Sequence, residues 1–225
     1  MSAPVVTLDG PGGAGKGTIA KLLASHLGWH LLDSGAIYLL VALAAIRKGV
    51  DLSDESTVKT IACDLDAEFI VNDDHSVKTL LSGQDVGSEL RTEQTGAAAS
   101  QIAAYNSVRE ALLERQRRFA EQPGLVADGR DMGTVVFPEA PLKIFLTASL
   151  EERANRRYKQ LKEQGLSASI QALLRELAER DERDANRPVA PLRPAEDAVI
   201  LDCTELSINQ VFEQVLSLVQ ERVGN

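Results

Sequence analysis

Gly10-Pro11-Gly12-Gly13-Ala14-Gly15-Lys16-Gly17-Thr18 decides how the rest of the chain is read. It follows a short β-branched run at residues 4–9. It precedes residues 16–27, where Ile19, Leu22, Leu23 and Leu27 recur at helical spacing before Gly28 ends the pattern. Strand, glycine-rich turn and helix in that order let consecutive backbone N–H groups curl around an anion, with the helix N-terminus adding partial positive charge. Lys16 then reaches the phosphate being transferred, so residues 10–18 are the candidate cradle for the phosphates of a nucleoside triphosphate. A turn that only joins strand to helix would need no lysine set between glycines at this place. The general pattern puts Ser or Thr directly after the lysine to hold Mg²⁺, whereas here Gly17 intervenes and Thr18 follows.

Working outward, residues 29–33 predict a second buried strand. Residues 36–48 predict a helix with Ile37, Leu40, Val41 and Ala44 on one face and Gly49 at its end. The period then changes. Residues 67–72 and 77–82 read as short strands joined by the turn formers Asn72, Asp73 and Asp74, an antiparallel insert. Helical patterning resumes near Arg91, and Ser107 with Glu110 reads as a capping box opening a segment that runs to about Glu121, closed by Pro123 and Gly124. Residues 125–128, 142–147 and 199–202 are apolar runs, each suited to a central parallel strand. The expectation is an α/β fold with five core strands. Ser207 and Gln210 form a further capping box, for a last helix burying Ile208, Val211, Val215 and Val219. Between them, residues 165–194 are charge-rich and then carry Pro188, Pro191 and Pro194, which suits a mobile flap.

Composition narrows the function classes. The chain has 225 residues, 44% of them hydrophobic, enough for one compact domain and a small appended unit. Lys and Arg number 24 against 33 Asp and Glu, a formal charge of -9 that argues against a nucleic-acid-coating surface. Cys63 and Cys203 are the only cysteines and lack metal-ligand spacing, so neither a disulfide framework nor a zinc site is expected and a reducing cytoplasm fits. No apolar stretch approaches ~20 residues, and residues 1–6 do not read as a signal peptide, so no membrane association is expected. His26, His30 and His75 are scattered and are assigned no chemistry.

Two further stretches carry a family resemblance. Leu32-Asp33-Ser34-Gly35-Ala36-Ile37-Tyr38 and Ala127-Asp128-Gly129-Arg130-Asp131-Met132-Gly133-Thr134 resemble bacterial cytidylate kinases, and Arg180-Asp181-Glu182-Arg183-Asp184-Ala185-Asn186-Arg187 matches that family's lid. The resemblance implies a P-loop NTPase fold: a five-stranded parallel sheet flanked by helices, with an antiparallel insert for the acceptor nucleotide and a helical lid. It divides the chain into a core of residues 1–61 and 102–225, containing the lid at 153–190, and an insert at 62–101. It implies phosphoryl transfer from ATP, with Mg²⁺, to CMP or dCMP, by a monomer that binds no nucleic acid. Ser34, Tyr38 and Arg130 are implied at the acceptor phosphate or its surroundings, and Arg180, Asp184 and Arg187 at ribose and phosphate. Arg153 and Arg157, with Arg156 adjacent, resemble lid arginines that clamp donor phosphates. Tyr38 is normally followed by Arg in this family, and here Leu39 stands instead.

Each assignment has a plainer alternative. Cytosine offers an amino donor beside ring acceptors, so Asp131 and Ser100 can accept and Arg109 can donate. Read locally, Ser100 is a small residue in an Ala-rich helix and Arg109 a solvated side chain. Asp33 or Ser34 can equally cap the second helix. Arg180, Asp184 and Arg187 at i, i+4 and i+7 share a helix face, as would any salt-bridged surface. Asp128 is the candidate for holding magnesium through water, or a hydrogen-bonded turn residue. A kinase for UMP, dTMP or AMP, or a non-catalytic nucleotide switch, are the competing functions, the latter without an Asn-Lys-x-Asp run to read guanine.

Overall fold

A computed structural model describes residues 3–71, 77–163 and 165–224. Strand β1, Val5–Asp9, buries all five side chains, the pattern of a parallel strand covered on both faces. Its neighbours are β6, Leu125–Asp128, and β7, Leu142–Thr147. With β2, His30–Asp33, and β8, Val199–Asp202, they form a five-stranded sheet in the order β2-β6-β1-β7-β8, every pairing parallel. All five expected core strands are therefore present. Val199–Asp202 is nevertheless an edge strand and not a central one: it pairs only with β7 and leaves Ile200 61% exposed. Val6, Leu8, Val126, Leu142, Ile144 and Leu146 form the sheet's part of the core. Helix α1, Lys16–Leu27, and helix α8, Ile208–Arg222, pack over it through Ile19, Leu23, Val211, Val215 and Val219.

The helices obey their local signals with definite exceptions. Gly28 takes the left-handed conformation and caps α1 through Ala24 O and Ser25 O. Leu22 lies off the buried stripe and is 41% exposed; Ala20 and Ala24 fill that face instead. The capping box of Ser207 and Gln210 opens α8, but Ile208 is 56% exposed, because it stands in the first turn where no element covers it. Helix α6 is Leu150–Glu163, and α7, Ile170–Ala185, ends before Arg187. Arg180, Asp184 and Arg187 therefore do not share one helix face, the last lying beyond the end at Asn186.

The chain divides into two compact units, Met1–Asp33 with Gln116–Asn225, and Ser34–Arg115. In the second, α2, Ser34–Arg47, is buried nearly all round, more than the one apolar face expected. It starts at Ser34, directly after the last residue of β2. Helix α3, Glu55–Cys63, carries little apolar pattern and was not anticipated; Asp54 caps it by accepting from Thr57 N. Strands β3, Ala67–Val71, and β4, Val77–Leu81, pair antiparallel as expected, and a third, β5, Gln84–Asp85, extends them. The expected turn at Asn72, Asp73 and Asp74 lies outside the described residues. Helix α4, Glu93–Ile102, is capped by Thr92. Helix α5, Asn106–Arg117, overturns the Ser107 capping box: Ser107 is already helical and its hydroxyl donates to Glu55 at 2.5 Å, while Asn106 bonds Glu110. This helix stops at Arg117 and not near Glu121, its end tightened by i→i+3 bonds from Phe119 N and Ala120 N.

Candidate active site

Sheet register gathers acidic groups at one edge. Asp33 and Asp128 pair across β2 and β6, and Leu8 pairs with Asp128, so that Asp9, Asp33 and Asp128 end three adjacent strands at their C-terminal side. That edge is where open parallel α/β sheets bind ligands. From Asp9 the chain enters residues 10–15, with Gly10, Gly13 and Gly15 at φ 144°, 80° and 96°. At Gly10 the backbone runs so close to β7 that a Cβ would stand 1.9 Å from Leu146 O. Gly15 caps α1 with no side-chain oxygen bonded to the first turn, and of that turn's N–H groups Thr18 N donates to Gly15 O at 3.1 Å, while a helix start of this kind suits an anion.

Lys16 is buried, and its Nζ donates to Pro11 O at 2.9 Å. Burial is the main cause that lowers its pKa to about 8; Asp128 opposes this and Arg130 adds to it. Burial also raises Asp128 to about 7, against the attraction of Lys16. A Cβ on residue 17 would lie 3.2 Å from Asp128 Oδ2, so this carboxylate takes up the room that the usual Ser or Thr after the lysine would need. Among the described residues no group of three His, Cys, Asp or Glu side chains is arranged to hold a metal alone. With Asp128 as the nearby hard oxygen donor, the residues fit a magnesium ion carried largely by nucleotide oxygens.

Arginines ring the loop. Positions where a Cβ at Gly12 would project lie 3.7 Å from Arg130 and 3.9 Å from Arg180, at Gly13 3.1 Å from Arg153, and at Gly15 3.8 Å from Arg156. Arg153 is buried and donates to Ala148 O at 3.0 Å, to Gly12 O at 3.1 Å, and to both oxygens of Asp181 at 3.1 and 2.5 Å. Arg156 donates to Ala14 O at 3.3 Å and Cys203 O at 2.6 Å. Arg157 is half-buried and donates to Gln160 at 3.0 Å. Asp184 is 2% exposed and pairs with Arg130, while Arg187, also buried, donates to the Asp184 carbonyl at 3.3 Å. A burial that complete is not the solvated face that periodicity alone would suggest.

In the second unit, Ser34 opens α2 and is buried, as are Tyr38 on that helix and Ser100 on α4. Arg109 is 7% exposed, its guanidinium 5.7 Å from the centre of the Tyr38 ring and donating to Ala103 O at 3.2 Å. The solvated alternative for Arg109 is thereby excluded.

Sequence reasoning assigned no role to Asp9 and none to Asp181. Asp9 is buried, accepts from Met132 N and Gly133 N at 2.8 Å each, and is raised to about 6, chiefly by burial. A charged residue closing an apolar strand was the one available signal. Asp181 stood inside a quoted motif, but its partner Arg153 is 28 positions away.

The family model described as Cytidylate kinase matches residues 6–221. The cytidylate kinase of Pseudomonas paraeruginosa is 60% identical over 216 residues, covering 96% of this chain and 94% of that protein. That of Shewanella loihica is 57% identical over 221 residues, covering 98% of this chain and 96% of that one. A solved structure from Thermus thermophilus, 19% identical and covering 100% of both chains, superposes with a TM-score of 0.50, a likeness of fold.

Proposed function

Because the chain belongs to the cytidylate kinase family, and is a phosphotransferase moving the γ-phosphoryl group of ATP to CMP or dCMP, we propose that residues 10–18 hold the donor and Lys16 meets the transferring group. The observation that carries this reading is the placement of Lys16, Arg130, Arg153, Arg156 and Arg180 around one glycine-rich loop.

The acceptor phosphate has a second pKa near ~6, so it arrives largely as a dianion and needs no strong base. Catalysis then rests on alignment and on neutralising charge spread over the transferring phosphoryl oxygens. Lys16 and Arg130 serve the transferring and acceptor phosphates, and Arg153 and Arg157 of α6 serve the donor. Arg156 belongs with them, since it already bonds the loop at Ala14. Asp128 would help to hold a magnesium ion bound with ATP, which would supply further charge neutralisation.

For the acceptor, Asp131 and Ser100 accept from the cytosine edge and Arg109 donates to it; Ser34 and Tyr38 serve its phosphate, and Arg180, Asp184 and Arg187 its ribose and phosphate. The burial of Asp131, Ser100 and Arg109 supports the base assignment, because a buried acceptor left unpaired by uracil penalises the wrong base. The acceptor-binding insert comprises residues 62–101, and residues 153–190 contain the lid. In this reading the protein works as a cytoplasmic monomer without nucleic-acid partners. No helix among the described residues is long and apolar enough to cross a membrane.

An ADP-release assay with MgATP against CMP, dCMP, UMP, dTMP and AMP tests the acceptor. Turnover should concentrate on the cytidylates, and equal rates on UMP would remove the base-reading assignment. Lys16→Ala should lower kcat by ~100-fold or more, and an unchanged kcat would take Lys16 out of the chemistry.

A further inference from the structure

The carboxylate of Asp9 is the most deeply engaged acidic group near the loop that the mechanism does not use. It ends β1, and the next residue opens the phosphate loop. Its two oxygens accept from the backbone N–H groups of Met132 and Gly133, 123 and 124 positions away, at 2.8 Å each. Those N–H groups open the short π-helical turn Met132–Val136, whose N-cap residue is Asp131. An aspartate at an N-cap ordinarily bonds the N–H groups of its own first turn. Asp131 makes no such bond, and Asp9 accepts from the first two N–H groups of the turn instead.

Packing holds the same turn from its other side. Met132 is fully buried, and a Cβ on residue 133 would lie 2.9 Å from Thr7 Oγ1 and 3.1 Å from Lys143 Cδ. The turn is thus pressed against β1 and β7 and pinned at its start by a carboxylate from the strand that carries the phosphate loop. A buried charge is costly, and a neutral side chain could have capped a purely structural turn.

We infer that Asp9 is a positioning residue for acceptor recognition: by capping the 132–136 turn in place of Asp131, it fixes where the Asp131 carboxylate points. This rests on the assignment of Asp131 to cytosine.

Steady-state kinetics with MgATP, comparing kcat/KM for CMP and UMP in wild type, Asp9→Asn and Asp131→Ala, test it. Asparagine can accept from only one of the two N–H groups and sets its own amide donor against the other. Asp9→Asn should therefore lower the CMP-over-UMP preference by about tenfold or more while KM for MgATP moves less than about twofold. Asp131→Ala should lose the preference altogether. A preference lost in Asp131→Ala but kept in Asp9→Asn overturns this inference and leaves the base-reading assignment standing. A preference kept in Asp131→Ala removes that assignment, and the inference with it.

If Asp9→Asn does not fold, Asp9→Glu serves instead. It keeps both acceptor oxygens but shifts the 132–136 turn by one methylene, so the CMP-over-UMP preference should fall several-fold while KM for MgATP holds, and an unchanged preference overturns the inference.

Discussion

In the role proposed for it, Lys16 stands between two demands: enclosure strengthens its action on a phosphate and weakens its hold on a proton. Burial brings it to about 8, and kcat/KM reports ionisations of the free enzyme. The rate constant kcat/KM for MgATP should therefore fall on the alkaline side with an apparent pKa near 8, since the protonated form is required and is lost as pH rises. In Lys16→Arg the overall rate drops, but this alkaline limb should vanish; an unaltered limb would assign it to another group. Asp128 carries the opposite sign. Its folded-state pKa is raised to about 7 from the usual 3.8, so the native state binds more protons across that window and loses stability as pH climbs through it. Asp128→Asn cannot pay that cost. Its melting temperature should match wild type near pH 4, exceed it progressively toward pH 7, and by pH 7.5 reflect a gain on the order of 4 kcal/mol. A pH-independent difference in thermal melts would show that desolvation of Asp128 is not the cause.

Among the elements, α8 offers the cleanest local test. Ser207→Ala removes a hydroxyl that accepts from Gln210 N and half of a reciprocal cap, at a cost of about 1 kcal/mol. Calorimetry should show a melting temperature lower by ~2–4 °C with kcat and KM unchanged, because the helix lends its apolar face to the core and no group to the loop. The success of that cap as a sequence signal, beside the failure at Ser107, shows what was readable. Ser207 to Gln210 is self-contained, whereas Ser107 was drawn to Glu55, 52 positions away, and the helix began earlier. Central strands and the glycine loop were readable for the same reason, as their apolar runs and glycines are local. Helix α3 was not, with Val58, Ile61 and Ala62 its only buried residues. Within the candidate site, the loop and its lysine could be found from residue order alone. The burial of Arg109 against Tyr38 and the reach of Asp9 across the sheet depend on partners that only folding supplies.

At the scale of the whole chain, ligand binding and folding are linked. MgATP at about 100 times its Kd should add ~2.7 kcal/mol to the unit that holds the loop, raising the melting temperature by ~5–10 °C. In Lys16→Ala the same addition should shift it by much less, and an equal shift in both proteins would place the donor elsewhere. The arginine pairs described above bear on which solutes the unliganded protein attracts. Arg153 rests on Asp181 and Arg130 on Asp184, within a molecule of net charge -9. To reach Arg153 or Arg130, a single chloride, bicarbonate or orthophosphate would have to displace one of these carboxylates. A polyphosphate delivers charge at several points at once, so the Asp181 and Asp184 pairings on α7 should favour multivalent phosphates over single small anions.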